Sequence, residues 1–307
     1  MPGDTTKYNI PFVAPSLPNA KSEYSPKATN EHNRILRQYF NQLDNALRNI
    51  AAVDVPYNEQ VARGEIAGAS SVFVYGYLRE MDQNVNETLQ YQGGLMQYPS
   101  SAATVFISSA DANDTSAGTG ARTLLLEGLD ANYAAVSETI TMNGQTQVES
   151  SKSYIRLFKI TSVTVGSGGK NAGDIYVATT GASSGVPTGT TYLVMESDDI
   201  SAINTSQAAV YTVPAGHTLY IDLVQFKGSS RSTISGFAFA TIATRTTGSD
   251  KPFVDAIEHS LRAMLLDIPF PNYLKLEEKS DIELRCFTTN ADAKDMGGNF
   301  TGILIQN

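Results

Sequence analysis

Residues Thr119–Gly144, TGARTLLLEGLDANYAAVSETITMNG, carry the clearest structural signal in the chain. Leu124 and Leu126 recur at a period of two, which predicts a β-strand with one buried face. The segment Gly128–Asn132 is rich in turn formers and interrupts the pattern. Asn143–Gly144 is the strongest short signal for a hairpin. The stretch contains no His, no Cys and no cluster of acidic residues, so it indicates architecture and not a site of catalysis.

The composition favours a β-rich protein with few charges. The chain has 307 residues, which is enough for one large domain or two ordinary ones. Charged residues make up 17% of the chain, below the value of about 25% that is usual for globular proteins. Its polar surface must therefore come mostly from Ser, Thr, Asn, Gln and Gly, as on exposed sheets in large assemblies. The formal net charge of −9 argues against nucleic acid or an anionic membrane as a partner.

The single cysteine, Cys286, excludes an internal disulfide framework. We expect it to be a small buried apolar residue in a strand. The N-terminal residues do not show the basic and then apolar pattern of a signal peptide, and the chain has no apolar run of 18 residues. The sequence thus predicts a soluble protein that does not use the general secretion route.

The N-terminal region predicts an extended arm followed by an amphipathic helix. Residues 1–28 contain five prolines and few apolar residues, which favours extended backbone. A helix follows, with Thr29 or Asn30 as its cap and Glu31 in its first turn. Residues 29–64 thus form an oligomerisation helix and a connector. Its apolar residues recur at spacings of four and three and form a narrow row, called the seam below: Leu36, Phe40, Leu43, Leu47 and Ile50.

A helix this short is marginal alone, so the seam must be buried against another surface. One alternative is packing on the protein's own β-domains, and the other is self-association around a symmetry axis. We favour self-association and expect a homotrimer, although the residues of the seam do not by themselves distinguish a dimer from a trimer.

From residue 65 onward, short strands alternate with turn signals, which is typical of antiparallel sandwiches. The predicted fold class is mainly β, with two antiparallel β-sandwich or jelly-roll-like domains at 65–199 and 200–307. The segment Val254–Leu266 matches a helical face, but its all-β surroundings favour a strand. In the segment Leu276–Cys286, the alternating residues Ile282, Leu284 and Cys286 predict a buried face. The other set is Asp281, Glu283 and Arg285, for which we expect a solvated, charge-balanced face.

Several segments, in this order, are similar to a known family. They include a Gly93-Gly94 and Pro99 element, the sequence 108–144, the strand Ser153–Phe158, Ala172–Asp174, Tyr211–Gly216, Glu278–Arg285 and the helical segment Arg37–Leu47. Over about residues 30–307 the chain resembles a virion structural protein family, of fibre, spike or decoration type, from marine podovirus-like tailed bacteriophages. The resemblance implies a β-rich virion component present in many copies, and it brings no catalytic residues. It does not distinguish head, neck, tail and fibre.

The residue types that commonly carry catalysis are scattered. The three histidines, His32, His217 and His259, fall on different predicted elements, and no serine lies in a G-x-S-x-G elbow. One cysteine and three separate histidines do not supply a zinc site. The sequence Gly166–Asn171 is superficially like a phosphate-binding loop, but Asn171 follows the lysine where Ser or Thr is required, and a strand comes next. We interpret it as a hairpin loop.

Acidic residues are the remaining candidates. Asp111 and Asp114 could offer oxygen ligands to Ca²⁺, but the spacing of an EF-hand is absent, and Asp198–Asp199 is a weaker case. Glycosidases use paired carboxylates, and one segment contains four acidic residues whose surroundings favour a surface role: Glu277, Glu278, Asp281 and Glu283. We therefore predict no catalytic residues, no cofactor and no metal.

The sequence leads to the hypothesis of a non-enzymatic structural component of a phage virion, assembled in the host bacterial cytoplasm. Its expected partners are further copies of itself and other virion proteins of the capsid, neck or tail. An alternative is a tail adhesin that binds a host-surface receptor or a glycan; 15 tyrosines favour it, whereas the absence of Trp counts against it. A polysaccharide hydrolase on a β-scaffold is a third hypothesis.

Overall fold

The computed structural model describes residues 26–51, 55–197, 204–230, 238–246, 252–261, 265–289 and 294–307. Within these residues the protein is mainly β, as predicted, and every strand ladder is antiparallel. Residues up to Arg63 form one compact unit and Gly64–Asn307 another. The elements are α1 (Pro26–Ala51), α2 (Tyr57–Ala62), β1 (Ala69–Leu78), β2 (Asn86–Thr88), β3 (Phe106–Ser109), β4 (Ala121–Leu129), β5 (Ala135–Thr141), β6 (Val148–Glu149), β7 (Arg156–Val165), β8 (Ile175–Ala178), β9 (Ala182–Ser183), β10 (Val186–Pro187), β11 (Thr191–Met195), β12 (Val210–Thr212), β13 (His217–Ser230), β14 (Ala238–Arg245), β15 (Val254–Leu261), β16 (Leu265–Leu276), β17 (Asp281–Thr288) and β18 (Lys294–Gln306).

The helical unit differs from the prediction at both ends. Helix α1 begins at Pro26 and not at a Thr29 or Asn30 cap, because proline lacks only an N–H that the first turn does not use. Residues 26–28 of the predicted arm are therefore helical, and the rest of the arm lies outside the described residues. The predicted connector contains a second helix, α2, which follows Pro56.

The stretch that opened the sequence analysis forms the predicted strands. Leu124 and Leu126 are fully buried on β4, and β4 pairs with β5. The turn lies later than predicted, because Gly128 is still inside β4. A Cβ at Gly128 would lie 2.2 Å from the Arg156 carbonyl oxygen, so this glycine permits close strand approach. The hairpin is closed by Asp130, whose Oδ1 accepts the N–H groups of residues 132 and 134 at 2.8 and 2.9 Å.

The hairpin predicted at Asn143–Gly144 is wrong. Strand β5 pairs with β4, whereas the next strand, β6, pairs with β3 in a different sheet. Gly144 does adopt the left-handed conformation, with φ of 59°, and its N–H donates to the Asp114 carbonyl oxygen at 2.7 Å. The dipeptide makes a turn as its residue types require, but the turn carries the chain from one sheet to another.

Two hydrophobic clusters organise the strands of Gly64–Asn307. The first lies between the sheets β1-β18-β13-β16 and β12-β17-β14-β15 and contains Phe226, Phe300 and Leu284. The second belongs to the sheets β5-β4-β7 and β11-β8-β3-β6 and contains Ile107 and Leu126. Two predictions are confirmed here: residues 254–261 form a strand, and Cys286 is buried on β17.

The first cluster is not confined to 200–307, where the second β-domain was predicted. Strand β1 pairs along its whole length with β18, from Ala69 opposite Ile305 to Leu78 opposite Met296. Strand β2 pairs with β17. The sequence gives no local sign of these pairings, because the partners lie at opposite ends of the compact unit. The division into two β-domains stays a prediction.

Gly76 offers a test of this long-range packing. A Cβ there would lie 2.2 Å from the Leu89 carbonyl oxygen and 2.3 Å from the Ala209 nitrogen, so Gly76→Ala must displace backbone. We expect it to lower the free energy of unfolding by about 3 kcal/mol or more. Gly228→Ala, in the same sheet, meets the end of the Met296 side chain at 3.5 Å and the Asp295 carbonyl oxygen at 3.8 Å, which are ordinary van der Waals distances, so its effect should stay within about 1 kcal/mol. Urea denaturation of both variants checks this, and equal effects would contradict the described packing.

Candidate functional site

The predicted seam lies on α1. Leu36 and Leu43 are half-buried, whereas Phe40 is 59% exposed and has an edge contact with Tyr39 at 5.6 Å between ring centroids. The side chains of Leu47 and Ile50 are outside the described part of the chain, although both positions belong to α1 and continue the same spacing. The helix therefore presents a large aromatic side chain in the middle of the seam.

A second feature does not follow from the local sequence pattern. Asp281 and Glu283 are 1% and 0% exposed, and Arg285 is 8% exposed, so the predicted solvated face of this strand is wrong. Strand β17 lies inside its sheet, between β12 and β14, and other parts of the chain cover its polar face. Together with Arg156 on β7, Arg245 on β14 and Tyr98, these residues form what we call the ionic cluster.

Asp281 is the acceptor at the centre of the ionic cluster. Its Oδ1 accepts from Arg156 Nε at 2.8 Å and from Thr212 Oγ1 at 2.5 Å. Its Oδ2 accepts from Arg156 Nη2 at 3.1 Å and from Arg245 Nε at 2.7 Å. Burial alone would lower the pKa of Arg156, but the hydrogen bonds and charge of Asp281 outweigh it and raise that pKa. Arg156 is therefore held in its charged form.

Glu283 is satisfied in the same way. Its Oε2 accepts from Arg285 Nε at 2.9 Å and from Thr88 Oγ1 at 2.8 Å, and its Oε1 accepts from Tyr98 Oη at 2.8 Å. Burial raises the pKa of Tyr98 well above its usual value, and the charges of Glu283 and Asp281 add to the effect. The phenol thus remains a hydrogen-bond donor. All four carboxylate oxygens of the cluster have protein donors.

Aromatic rings accommodate the surplus positive charge, since three arginines face two carboxylates. The guanidinium carbons of Arg156 and Arg245 each lie 4.9 Å from the centre of the Tyr98 ring. Those of Arg245 and Arg285 lie 4.5 and 4.4 Å from the Phe253 ring. Ring faces attract cations, and more strongly where water is excluded. This arrangement fits a role in holding the strands together, because both carboxylates already accept hydrogen bonds from protein donors and do not face each other across an open cleft.

The ionic cluster also joins separate parts of the fold. Arg156 belongs to the sheet β5-β4-β7, whereas Asp281 belongs to the sheet β12-β17-β14-β15. The bond between them therefore ties the strands around one hydrophobic cluster to those around the other. The sequence shows Arg156 only as one of two charged residues of β7, and nothing in its local pattern identifies Asp281 as its partner.

Asp114, considered above as a calcium ligand, is a structural acceptor. It is fully buried, and its Oδ1 accepts the N–H groups of Ala121 and Ala172 at 2.6 and 2.8 Å. Its Oδ2 accepts from Ser109 Oγ at 2.5 Å and from the Gly173 N–H at 3.0 Å. Within the described residues, no group of three or more His, Cys, Asp or Glu side chains is placed to hold a metal.

The remaining sequence candidates lie apart. The glycine-rich loop at 166–169 donates to the Gly120 and Thr119 carbonyl oxygens and joins strands of different sheets, so it is a loop but not a hairpin. His32 lies on α1, His217 begins β13 and His259 lies on β15. Asp198–Asp199 falls outside the described residues. Glu277 forms an exposed ion pair with Lys275 at 2.7 Å, and Glu278 accepts the Gly216 N–H at 2.6 Å.

The ionic cluster predicts a large cost for losing one charge. Asp281→Asn leaves two arginines without their carboxylate, and removing one partner of a buried pair typically costs about 3–5 kcal/mol. Glu277→Gln is the control, because an exposed pair contributes about 1 kcal/mol or less. Urea denaturation should separate the two variants clearly. An Asp281→Asn variant as stable as Glu277→Gln would show that the cluster does not hold the sheets together.

The helices of the described residues include none that is both long and apolar enough to cross a membrane.

No protein-family model matches the chain, and no curated protein matches it. Among solved structures, the infectious bursal disease virus VP2 subviral particle is 9% identical, with a TM-score of 0.21 over 82% of this chain and 78% of that chain. The structure of the Gx strain of the same virus is 10% identical, with a TM-score of 0.19 over 78% of this chain and 72% of that chain. Scores of this size do not demonstrate a shared topology.

Proposed function

We propose that the protein is a non-enzymatic structural component of a bacteriophage virion: a homotrimeric fibre, spike or decoration protein that docks through its N-terminal region. The observation that carries this proposal is the exposed Phe40 on the seam of α1. An aromatic side chain in the middle of an amphipathic face gains most when a second surface covers it. Further copies of α1 supply a matching surface.

The dimensions of α1 suit this role. Its 26 residues correspond to a length of about 39 Å, and the seam recurs with the spacing of helices that pack at a shallow angle. The side chains of Arg37, Gln38, Asn41 and Gln42, next to the seam, are exposed. A polar flank of this kind keeps a small bundle in solution while its apolar row is covered.

The contacts within Gly64–Asn307 favour a structural role over a catalytic one. Two of the four acids that were glycosidase candidates, Asp281 and Glu283, are engaged by arginines in the ionic cluster. Asp114 ties the loop 108–120 to the loop 166–173. Groups held in this way give rigidity, which a component repeated in a particle requires. The other expected partners are capsid, neck or tail proteins, and the expected location is the virion.

The solution mass tests the self-association. Each chain has a mass of 33.0 kDa, and we expect a trimer at micromolar concentration by light scattering. Phe40→Asp should shift the assembly to monomers, because it places a charge within the buried seam. Asn41→Asp introduces the same charge at the neighbouring exposed position and should leave the mass unchanged. A wild-type monomer with its helix intact by circular dichroism would overturn the proposal.

A pair of tyrosines favours the adhesin as a second candidate function. Tyr273 is 42% exposed, has a φ of 52° and meets the Tyr220 ring edge-on at 6.3 Å. Non-glycine residues with this backbone conformation are uncommon, and they concentrate at functional positions. Purified protein should then bind host cells and compete with phage adsorption, and Tyr273→Ala should weaken both effects. Wild-type protein that does neither would exclude this function.

A further inference from the structure

Strand β1 is an edge strand without protection. It lies at the end of the sheet β1-β18-β13-β16, and its ten residues, ASSVFVYGYL, include no charge and no proline. Its register with β18 runs without a bulge. Proteins usually blunt such edges with charges, prolines, bulges or short strands, because an open edge recruits other strands. Strand β1 uses none of these means.

The other edge strands of the described sheets do use them. Strand β16 has two prolines and a register shift, β7 has two charged residues and register shifts, and β5 and β15 carry acidic residues. The remaining edge strands have five residues or fewer: β2, β6, β9, β10, β11 and β12. Within the described residues, the contrast singles out β1 as the edge strand that has none of these protections.

A groove runs along this open edge. Its volume is about 510 Å³, and six consecutive residues of β1, 70–75, form one side. The rest of the lining is mixed. It includes Phe158 and Tyr211, whose rings stack at 4.9 Å, and the buried Val210, together with the polar residues Glu127, Lys159, Thr205, Ser206 and Gln207. Phe73, on the strand itself, is 68% exposed.

The groove also contains unused backbone groups. In the described part of the chain, the backbone of residues 70–75 has hydrogen-bond partners on β18 alone. The groups on its other side face the groove. Six residues of a strand span about 20 Å, so the groove matches an extended segment of that length, which would gain both backbone bonds and contact with the apolar residues of the lining.

We propose that residues 7–13 of a second copy of this chain add as a strand to the free edge of β1. The segment is KYNIPFV, in which Tyr8, Ile10 and Phe12 alternate with Asn9 and Pro11. In a strand the three apolar side chains share one face, and that face suits the apolar part of the lining, formed by Phe158, Tyr211 and Val210. The backbone groups of the same three residues would point toward β1.

Pro11 fits this arrangement. Because the backbone groups of successive residues point to opposite edges of a strand, the nitrogen of Pro11 would point away from β1 and needs no partner. The proline would then also blunt the new edge against further pairing. A single arm could thus cap β1 without starting a fibre.

The arm is long enough to reach a neighbour. The 25 residues before α1 span about 80 Å when extended, whereas a compact unit the size of Gly64–Asn307 is roughly 45 Å across. Arm exchange needs a neighbouring copy, so this inference rests on the self-association proposed above.

Cysteine cross-linking of the full-length chain tests the exchange. Two tagged forms are co-expressed, one with Ile10→Cys and one with Ser71→Cys, which lies at the groove and is exposed. Because each chain carries only one of the tags, a cross-linked product that contains both tags must join two different chains. Cys286 is 1% exposed and burial raises the pKa of its thiol, so it should not react with a short bis-maleimide. Ser183→Cys, exposed on β9 outside the groove, replaces Ser71→Cys in the control.

We expect cross-linking at Ser71→Cys to exceed that at Ser183→Cys by about tenfold, because a docked arm raises the local concentration of the thiol. Equal yields would overturn the inference, as would an Ile10→Cys and Ser71→Cys double variant that cross-links only within one chain. The solution mass of the same samples separates the two proposals. A trimer without the cross-link removes arm exchange alone, whereas a monomer removes the self-association.

Discussion

The buried ion pair between Arg156 and Asp281 is the interaction on which the packing of Gly64–Asn307 depends. It joins a strand of one pair of sheets to a strand of the other, and both groups are almost completely removed from water. Such a pair has a high desolvation cost, so its net contribution to stability is small compared with the cost of breaking it. The pair therefore restricts how the sheets can pack against each other. They must meet in the one geometry that satisfies Asp281, Glu283 and the three arginines together.

The sequence predicts the local elements well and their environment poorly. Alternation in the segment around Leu124 identifies a strand and its buried face, and the spacing of Leu36, Phe40 and Leu43 identifies a helix. The same alternation around Glu283 predicts a polar face, but it cannot show that another layer covers that face. Asn143–Gly144 likewise specifies a turn, while the pairing of the flanking strands depends on residues far away in the chain.

The candidate sites divide along the same line. The seam on α1 follows from the periodicity of one helix, so sequence alone is enough to name its members. The ionic cluster collects residues from three strands and a loop, and Arg156 is 125 residues from Asp281 along the chain. The residue types were visible, but their proximity is a property of topology. The tight approaches at Gly76 and Gly128 are hidden for the same reason.

The pairing of β1 with β18 has a consequence for how the protein folds while it is being synthesised. Strand β18 lies between β1 and β13 in its sheet, so the sheet has no interior until that strand has left the ribosome. While the ribosome synthesises the intervening residues, strand β1, which contains one Phe and two Tyr residues, has no β18 to pair with. Contacts between such distant segments form slowly, and an uncovered strand is open to wrong partners in the meantime. Contacts of β1 with other strands, or with cellular chaperones, must therefore prevent its aggregation until β18 has been synthesised.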